Sequence, residues 1–419
     1  MNRNNLLIHA SNKPTADQME YEVVERKGLG HPDTLCDTLA EKISGAYSLY
    51  CLERYGIILR HMVDKIALAG GSTRVKFGGG EMAKPIRFYL NCRFTRTYQR
   101  ETIPYFQIVR KTTQEHFNEV MPLLDLEQWF IIVDNTHSSP GPGVVYTNEG
   151  STPNERQFFF EVPQKDFVRF HDNGLRSNDT STTVAYYPLS KTEEIVLLVE
   201  NMLNGKEFKK EHLYVGTDIK VMAQRIRNRL GITACVPFIS SFTPNEGFYN
   251  EKLRFLSKLI REAVTDSFGQ FEVSVELNTR DNPANSDYYL TLTGSALESG
   301  DEGVVGRGNR YNGVIPFTRH MSMEACCGKN PVYHVGKLYT AIGFLISKEI
   351  HETLGLETYV YLTSQMGRAL SDPWAVSVEV CKNAITEAQK DIIETVVEKN
   401  LVNASVTTGK IVRGEIKMF

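Results

Sequence analysis

Apolar spacing changes character along this chain, and the changes follow no fixed order. Ile86, Phe88, Leu90, Cys92 and Phe94 alternate with their neighbours, the period of two of a half-buried strand. Leu35, Leu39, Ile43 and Ala46 instead recur at helical spacing behind Pro32, a residue suited to a first helical turn. Further helices are expected over 109–120, from the Ser190/Glu193 capping box to Asn204-Gly205, and over 250–267. Two more are expected around Leu338 to Ile346 and from Ile385 to Val396. Strands are expected at 21–25, 65–69, 129–133, 214–222, 272–279, 287–293, 359–362 and 376–380. Residues 1–19 read as a polar lead-in and 135–156, rich in Gly and Pro, as a loop. This mixture lacks the regular strand–helix alternation of a parallel wound sheet, so the class is α+β.

With 419 residues, 41% hydrophobic and 23% charged, the chain can bury a large core divided among two or three units. A net charge of −3 gives no broad electrostatic reason to bind nucleic acid or an anionic membrane. Seven cysteines without a C-x-x-C pair argue against a disulfide framework or structural zinc and for a reducing cytoplasm. The polar N-terminus carries no apolar leader, and no run of about 18 apolar residues suggests a membrane span.

One stretch concentrates chemistry. Gly300, Gly303, Gly306, Gly308 and Gly313 lie among Asp301, Glu302, Arg307 and Arg310, and Arg319, Lys329 and Lys337 follow. Glycine lets backbone approach a ligand and arginine offers a fork of donors to phosphate oxygens, so the stretch could hold a polyanion. A surface loop with solvated charges fits the same composition. The helix that opens at Pro32 would aim its N-terminus at whatever His31 and Asp33 contact. Asp37, one turn further on, reads as a dipole-neutralising acid. Asp218 and Lys220, on one face of the expected 214–222 strand, read first as a surface ion pair.

Taken together the motifs resemble the archaeal-type S-adenosylmethionine synthetases. The runs that carry the resemblance are Glu25-Arg-Lys-Gly-Leu-Gly-His-Pro-Asp33, Phe77-Gly-Gly-Gly-Glu81, Asn178-Asp-Thr-Ser181 with Pro188-Leu-Ser190, and Gly216-Thr-Asp-Ile-Lys-Val-Met222. Gly300-Asp-Glu-Gly-Val-Val-Gly-Arg-Gly-Asn-Arg310, Met321-Ser-Met-Glu324, Gly328-Lys-Asn-Pro331 and His334-Val-Gly-Lys337 continue in family order. The resemblance implies three similar α+β units, sheets inward and helices outside, built from interleaved segments. Their approximate bounds are 1–24 with 190–295, 25–160 with 296–337, and 161–189 with 338–419.

It also implies a reaction in which the sulfur of L-methionine attacks C5′ of ATP and expels triphosphate, later hydrolysed to diphosphate and phosphate. Stabilising that leaving group calls for preorganised cations. By resemblance these are Lys220, Arg307, Arg310 and Lys329, with Arg319 a weaker match, and His31 donates near the leaving oxygen. Glu25 and Asp179 match positions at the nucleotide, Asp179 and Asp301 positions at methionine, and Asp33 a Mg²⁺ position with Asp218 a second metal candidate. K⁺ is implied as well, with no ligand identifiable. A homodimer or dimer of dimers, with sites between subunits, is the implied assembly. The chain departs from the family pattern at Thr183, Ala185 and Tyr187, at Tyr333 and His320, and in Gly141-Pro-Gly-Val-Val-Tyr146. The first three raise the alternatives of another nucleoside triphosphate such as CTP, or a methionine analogue. A tripolyphosphate or nucleotide hydrolase and a non-catalytic partner subunit are further alternatives.

Overall fold

The computed structural model describes residues 3–137 and 176–418. Most of the expected 135–156 loop, Gly141 to Tyr146, and the 160/161 unit boundary lie outside the described residues.

The expected α+β class is the observed one. Three mixed sheets dominate. A five-stranded sheet runs in the order Glu272–Leu277, Arg229–Cys235, Lys220–Ile226, Tyr21–Lys27, Ile315–Pro316. One four-stranded sheet runs Leu6–Ser11, Ala375–Cys381, Thr358–Thr363, Thr182–Tyr187, and the other Phe130–Asp134, Ile86–Leu90, Ala67–Ala69, Gly303–Val304. Each sheet therefore joins segments far apart in the chain. Leu6–Ser11 was expected to group with 190–295 but lies parallel to Ala375–Cys381. Ile315–Pro316, expected with 25–160, pairs with Glu25 and Val24 of Tyr21–Lys27, a strand that runs across the 24/25 bound.

The corrections to the expected elements share a cause. The polar lead-in contains the strand Leu6–Ser11, whose Leu7 is 58% exposed, so alternation is blurred at this sheet edge. The expected 214–222 strand begins only at Lys220, because Gly216 packs against the backbone of Gly294 and leaves the ladder. Gly216 needs to be glycine there, since a Cβ would sit 2.5 Å from the Gly294 α-carbon. Likewise 287–293 shortens to Leu290–Thr291, while Thr182–Tyr187 and Arg229–Cys235 were not anticipated. Backbone pairing across the chain decides such short strands.

The helix Pro32–Tyr55, here α1, has Pro at its first turn and ends at Gly56, where φ is 73°. Leu35, Leu39, Ile43 and Tyr47 enter the larger core. Unlike an ordinary surface helix, α1 also buries polar residues: Asp33, Asp37, Ser44 and Ser48 are nearly inaccessible. Buried polar groups need partners; Ser48 bonds back to the Ser44 carbonyl and Ser44 to His61, while Asp33 and Asp37 take theirs from the glycine-rich loop of the site.

Candidate active site

His31 is the N-cap of α1, and its Nδ1 accepts the Asp33 backbone N–H at 3.2 Å. With Nδ1 accepting, the neutral ring carries its proton on Nε2, where it can donate outward. Burial lowers the His31 pKa to about 4, helped by the Lys27 and Lys220 charges and opposed by Asp33. The imidazole is thus a neutral donor at physiological pH.

Two lysines act on this donor, and the backbone of Arg307 is tied to one of them. Lys27 and Lys220 face each other across the antiparallel ladder. Like charges placed opposite repel, and Glu25 relieves them, its Oε1 lying 3.5 Å from Lys220 Nζ and 4.0 Å from Lys27 Nζ. Asp33 accepts from Lys27 Nζ at 2.8 Å through one oxygen and from the Val304 N–H at 3.0 Å through the other. Lys27 Nζ also donates to the Arg307 carbonyl at 2.6 Å. The Arg307 side chain is exposed, and no acceptor engages its guanidinium among the described residues. Lys27 was missed in the sequence reading, although it lies inside the Glu25 to Asp33 run.

Asp33, Asp37 and Glu41 recur at i, i+4 down one face of α1. Each takes a backbone N–H from a glycine-rich segment: Val304 for Asp33 at 3.0 Å, Gly306 for Asp37 at 2.8 Å, Gly328 for Glu41 at 3.0 Å. Asp37 is therefore an anchor rather than a dipole-neutralising acid, and burial pushes its pKa up to about 7. Arg310 donates to the carbonyls of Gly306 at 2.6 Å and Gly308 at 2.8 Å, so its fork faces the loop backbone.

Two turns beyond Asp33, about 12 Å along the axis, a second cationic group gathers at Glu41. Lys337 Nζ lies 2.7 Å from Glu41 Oε2. Buried Lys329 pairs with Glu324, and burial lowers its pKa to about 8 against the pull of Asp64. Asp179 also acts on Lys329, while its own carboxylate accepts the Thr180 N–H at 2.7 Å. Asp64, buried beside Lys65 at 2.7 Å, is a second residue the sequence reading missed. His334 caps the helix Val335–Leu354 as His31 caps α1, with Nδ1 accepting the Gly336 N–H at 3.3 Å.

Other expected residues sit differently. Asp218 makes no surface pair with Lys220; it is buried and accepts the Ala296 N–H at 2.9 Å. Burial raises its pKa to about 7, with nearby Asp301 adding to the rise. Asp301 itself is exposed. Arg319 lies away from this cluster, wholly buried between Glu193 at 2.9 Å and Glu357 at 3.1 Å. No group of three or more His, Cys, Asp or Glu side chains forms a ready metal cage among the described residues.

The S-adenosylmethionine synthetase (AdoMet synthetase) family profile matches residues 4–150 and 163–415. The chain belongs to the S-adenosylmethionine synthetase family. Relatives named S-adenosylmethionine synthase include those of Caldivirga maquilingensis and Pyrococcus furiosus, each 34% identical over 99% of both chains. A probable S-adenosylmethionine synthase of Aquifex aeolicus is 36% identical over 95% of both. Among solved structures, an unusual S-adenosylmethionine synthetase from Campylobacter jejuni shares the fold, with a TM-score of 0.57 and 13% identity over 92% of this chain and 88% of that one.

Against this family background the departures find places. Tyr187 packs its ring on Phe344 and His351 of the Val335–Leu354 helix, at 5.8 and 5.3 Å between centroids. Ala185 meets Gly343 of the same helix, where a Cβ would come within 3.2 Å of the alanine methyl. Thr183, buried, shares their face of the strand by alternation. All three belong to a helix–sheet interface, and the small Gly343 offsets the added bulk. Tyr333 lies under the Arg60 guanidinium at 4.9 Å, and exposed His320 contacts Lys13 at 3.4 Å.

Proposed function

We propose that this synthetase joins L-methionine to ATP. The sulfur lone pair forms the S–C5′ bond as the C5′–O bond breaks, and that electron pair leaves on the triphosphate. The products are the sulfonium S-adenosylmethionine and triphosphate, which is then hydrolysed to diphosphate and phosphate. The observation that carries the reading is the group at the start of α1: Lys27 and Lys220 beside a neutral His31, with the backbone of Arg307 tied to Lys27 and its guanidinium exposed. Such a group can receive the charge that develops on the leaving oxygens once Lys27 turns from Asp33 to phosphate. Lys329, Glu25 and Asp179 belong to the nucleotide in this reading, and Asp179 and Asp301 to methionine.

Magnesium suits this donor set sparingly. Asp33 would offer one oxygen once Lys27 turns to phosphate, and Asp218 a second, with most ligands left to phosphate and water. Bound there, the ion would neutralise part of the triphosphate charge. K⁺ is proposed from the family alone. A homodimer, or a dimer of dimers, in which subunits share sites is likewise proposed from the family. No helix among the described residues is long and apolar enough to cross a membrane, which agrees with a cytoplasmic enzyme.

Mass spectrometry after incubation with methionine, Mg²⁺, K⁺ and each of the four nucleoside triphosphates tests the reading. The expected product is S-adenosylmethionine, from ATP only. A sulfonium product from CTP, or phosphate release without methionine, would overturn it. The placement of Thr183, Ala185 and Tyr187 in a helix–sheet interface gives no support to a changed base.

A further inference from the structure

Arg307 stands between Gly306 and Gly308, where backbone freedom should be greatest. A catalytic guanidinium on so loose a hinge would lose the preorganisation on which electrostatic stabilisation depends, since displacement by about 1 Å can cost a hundredfold. Yet five of the peptide groups around it are engaged. The Gly306 N–H donates to Asp37 Oδ1 at 2.8 Å, and the Gly306 and Gly308 carbonyls accept from Arg310 Nη2 at 2.6 and 2.8 Å. The Arg307 carbonyl accepts from Lys27 Nζ at 2.6 Å, and its N–H reaches the Val304 carbonyl at 3.3 Å.

We propose that Asp37 and Arg310 are positioning residues for Arg307, clamping the backbone around it: Asp37 at the 305–306 peptide, Arg310 at the 306–307 and 308–309 peptides. The two glycines make the clamp possible. Gly306 sits at φ 88°, and a Cβ on Gly308 would fall 2.1 Å from Asp37 Oδ2, so only glycine lets the carboxylate come so close. The acid is itself fixed one turn down the rigid α1 from Asp33, which ties Arg307 to the same frame as His31. Arg310 also donates to the Ser322 carbonyl at 3.4 Å, so its terminal nitrogens are committed to backbone rather than to phosphate. Arg310 acts through Arg307 and is a catalytic residue in no direct sense.

This inference rests on the proposed activity, and double-mutant cycles on the full-length enzyme separate the two. Arg307→Ala, Arg310→Lys and Asp37→Asn are made singly, and the latter two again on the Arg307→Ala background. kcat and KM are measured where circular dichroism shows each variant folded. Arg310→Lys is expected to lower kcat about tenfold with the methionine KM within about twofold, and to cost less than about twofold once Arg307 is alanine. Asp37→Asn keeps an oxygen for the Gly306 N–H, so it should fold even if Arg310→Lys does not, with a several-fold loss that also vanishes on the alanine background. Equal losses on both backgrounds would overturn the positioning role while leaving the activity intact. A wild-type enzyme that makes no S-adenosylmethionine would overturn the activity, and this role with it.

Discussion

Arg307 and Arg319 lie twelve residues apart in one basic, glycine-rich segment, and the fold gives them opposite lives. The Arg319 side chain is 0% exposed; it pairs with Glu193 and Glu357, donates to the Tyr359 hydroxyl at 3.1 Å and lies 3.7 Å over the Tyr186 ring. For Arg307 it is the backbone that is bound and the side chain that stays open to solvent. A buried guanidinium with four of its five N–H groups engaged is out of reach of a substrate, whereas a held backbone with an exposed guanidinium suits the recognition role proposed for Arg307. Between these two arginines it is pairing, not residue type, that decides which guanidinium stays open to a substrate.

The sharpest way to break this contrast is to remove each arginine. Arg319→Met leaves two buried carboxylates without their cation and should cost about 3–5 kcal/mol of stability. Denaturant melts would show the loss, while kcat of the folded fraction stays within about twofold. Arg307→Leu should do the reverse, lowering kcat about a hundredfold, or roughly 3 kcal/mol, with little change in the melt. Lys220→Met is expected to follow Arg307→Leu. A destabilised Arg307→Leu with near-normal turnover would erase the distinction.

The buried carboxyls under the loop give a smaller, pH-dependent effect. Asp37 has a folded pKa near 7, above the ordinary 3.8, so the fold holds its proton more tightly than the unfolded chain. Its contribution is fully present below about pH 4 and is lost as pH rises to about 7, some 2–3 kcal/mol between pH 5 and pH 8. Asp37→Asn should remove that share of the decline, and Asp218, raised likewise, should keep its own in the variant. Melts at pH 5 and pH 8 that change equally in wild type and variant would place the titration elsewhere.

The smallest effect is expected at exposed Asp301. Asp301→Asn should raise KM for methionine about tenfold, the scale of one charge-assisted hydrogen bond, and leave KM for ATP within about twofold. An equal rise in both would move Asp301 from the ammonium to the metal.

Local chemistry was legible from the residues alone. Pro32 behind His31, and Ser190 with Glu193, mark helix starts because a cap is made by side chains and N–H groups within three residues of one another. The long motif runs likewise pointed to the family. The sequence could not tell Arg307, Arg310 and Arg319 apart, since their acceptors are the site's open face, the loop's own carbonyls, and glutamates 126 and 38 residues away. Nor could it show that Asp37 holds Gly306, a bond spanning 269 residues. Asp218 left the expected strand because Gly216 packs on Gly294, and Leu6–Ser11 became a strand because Ala375–Cys381 offered it a ladder. Local sequence determines which groups a segment can offer, but only the folded chain decides which distant partner takes each of them and which is left free for substrate.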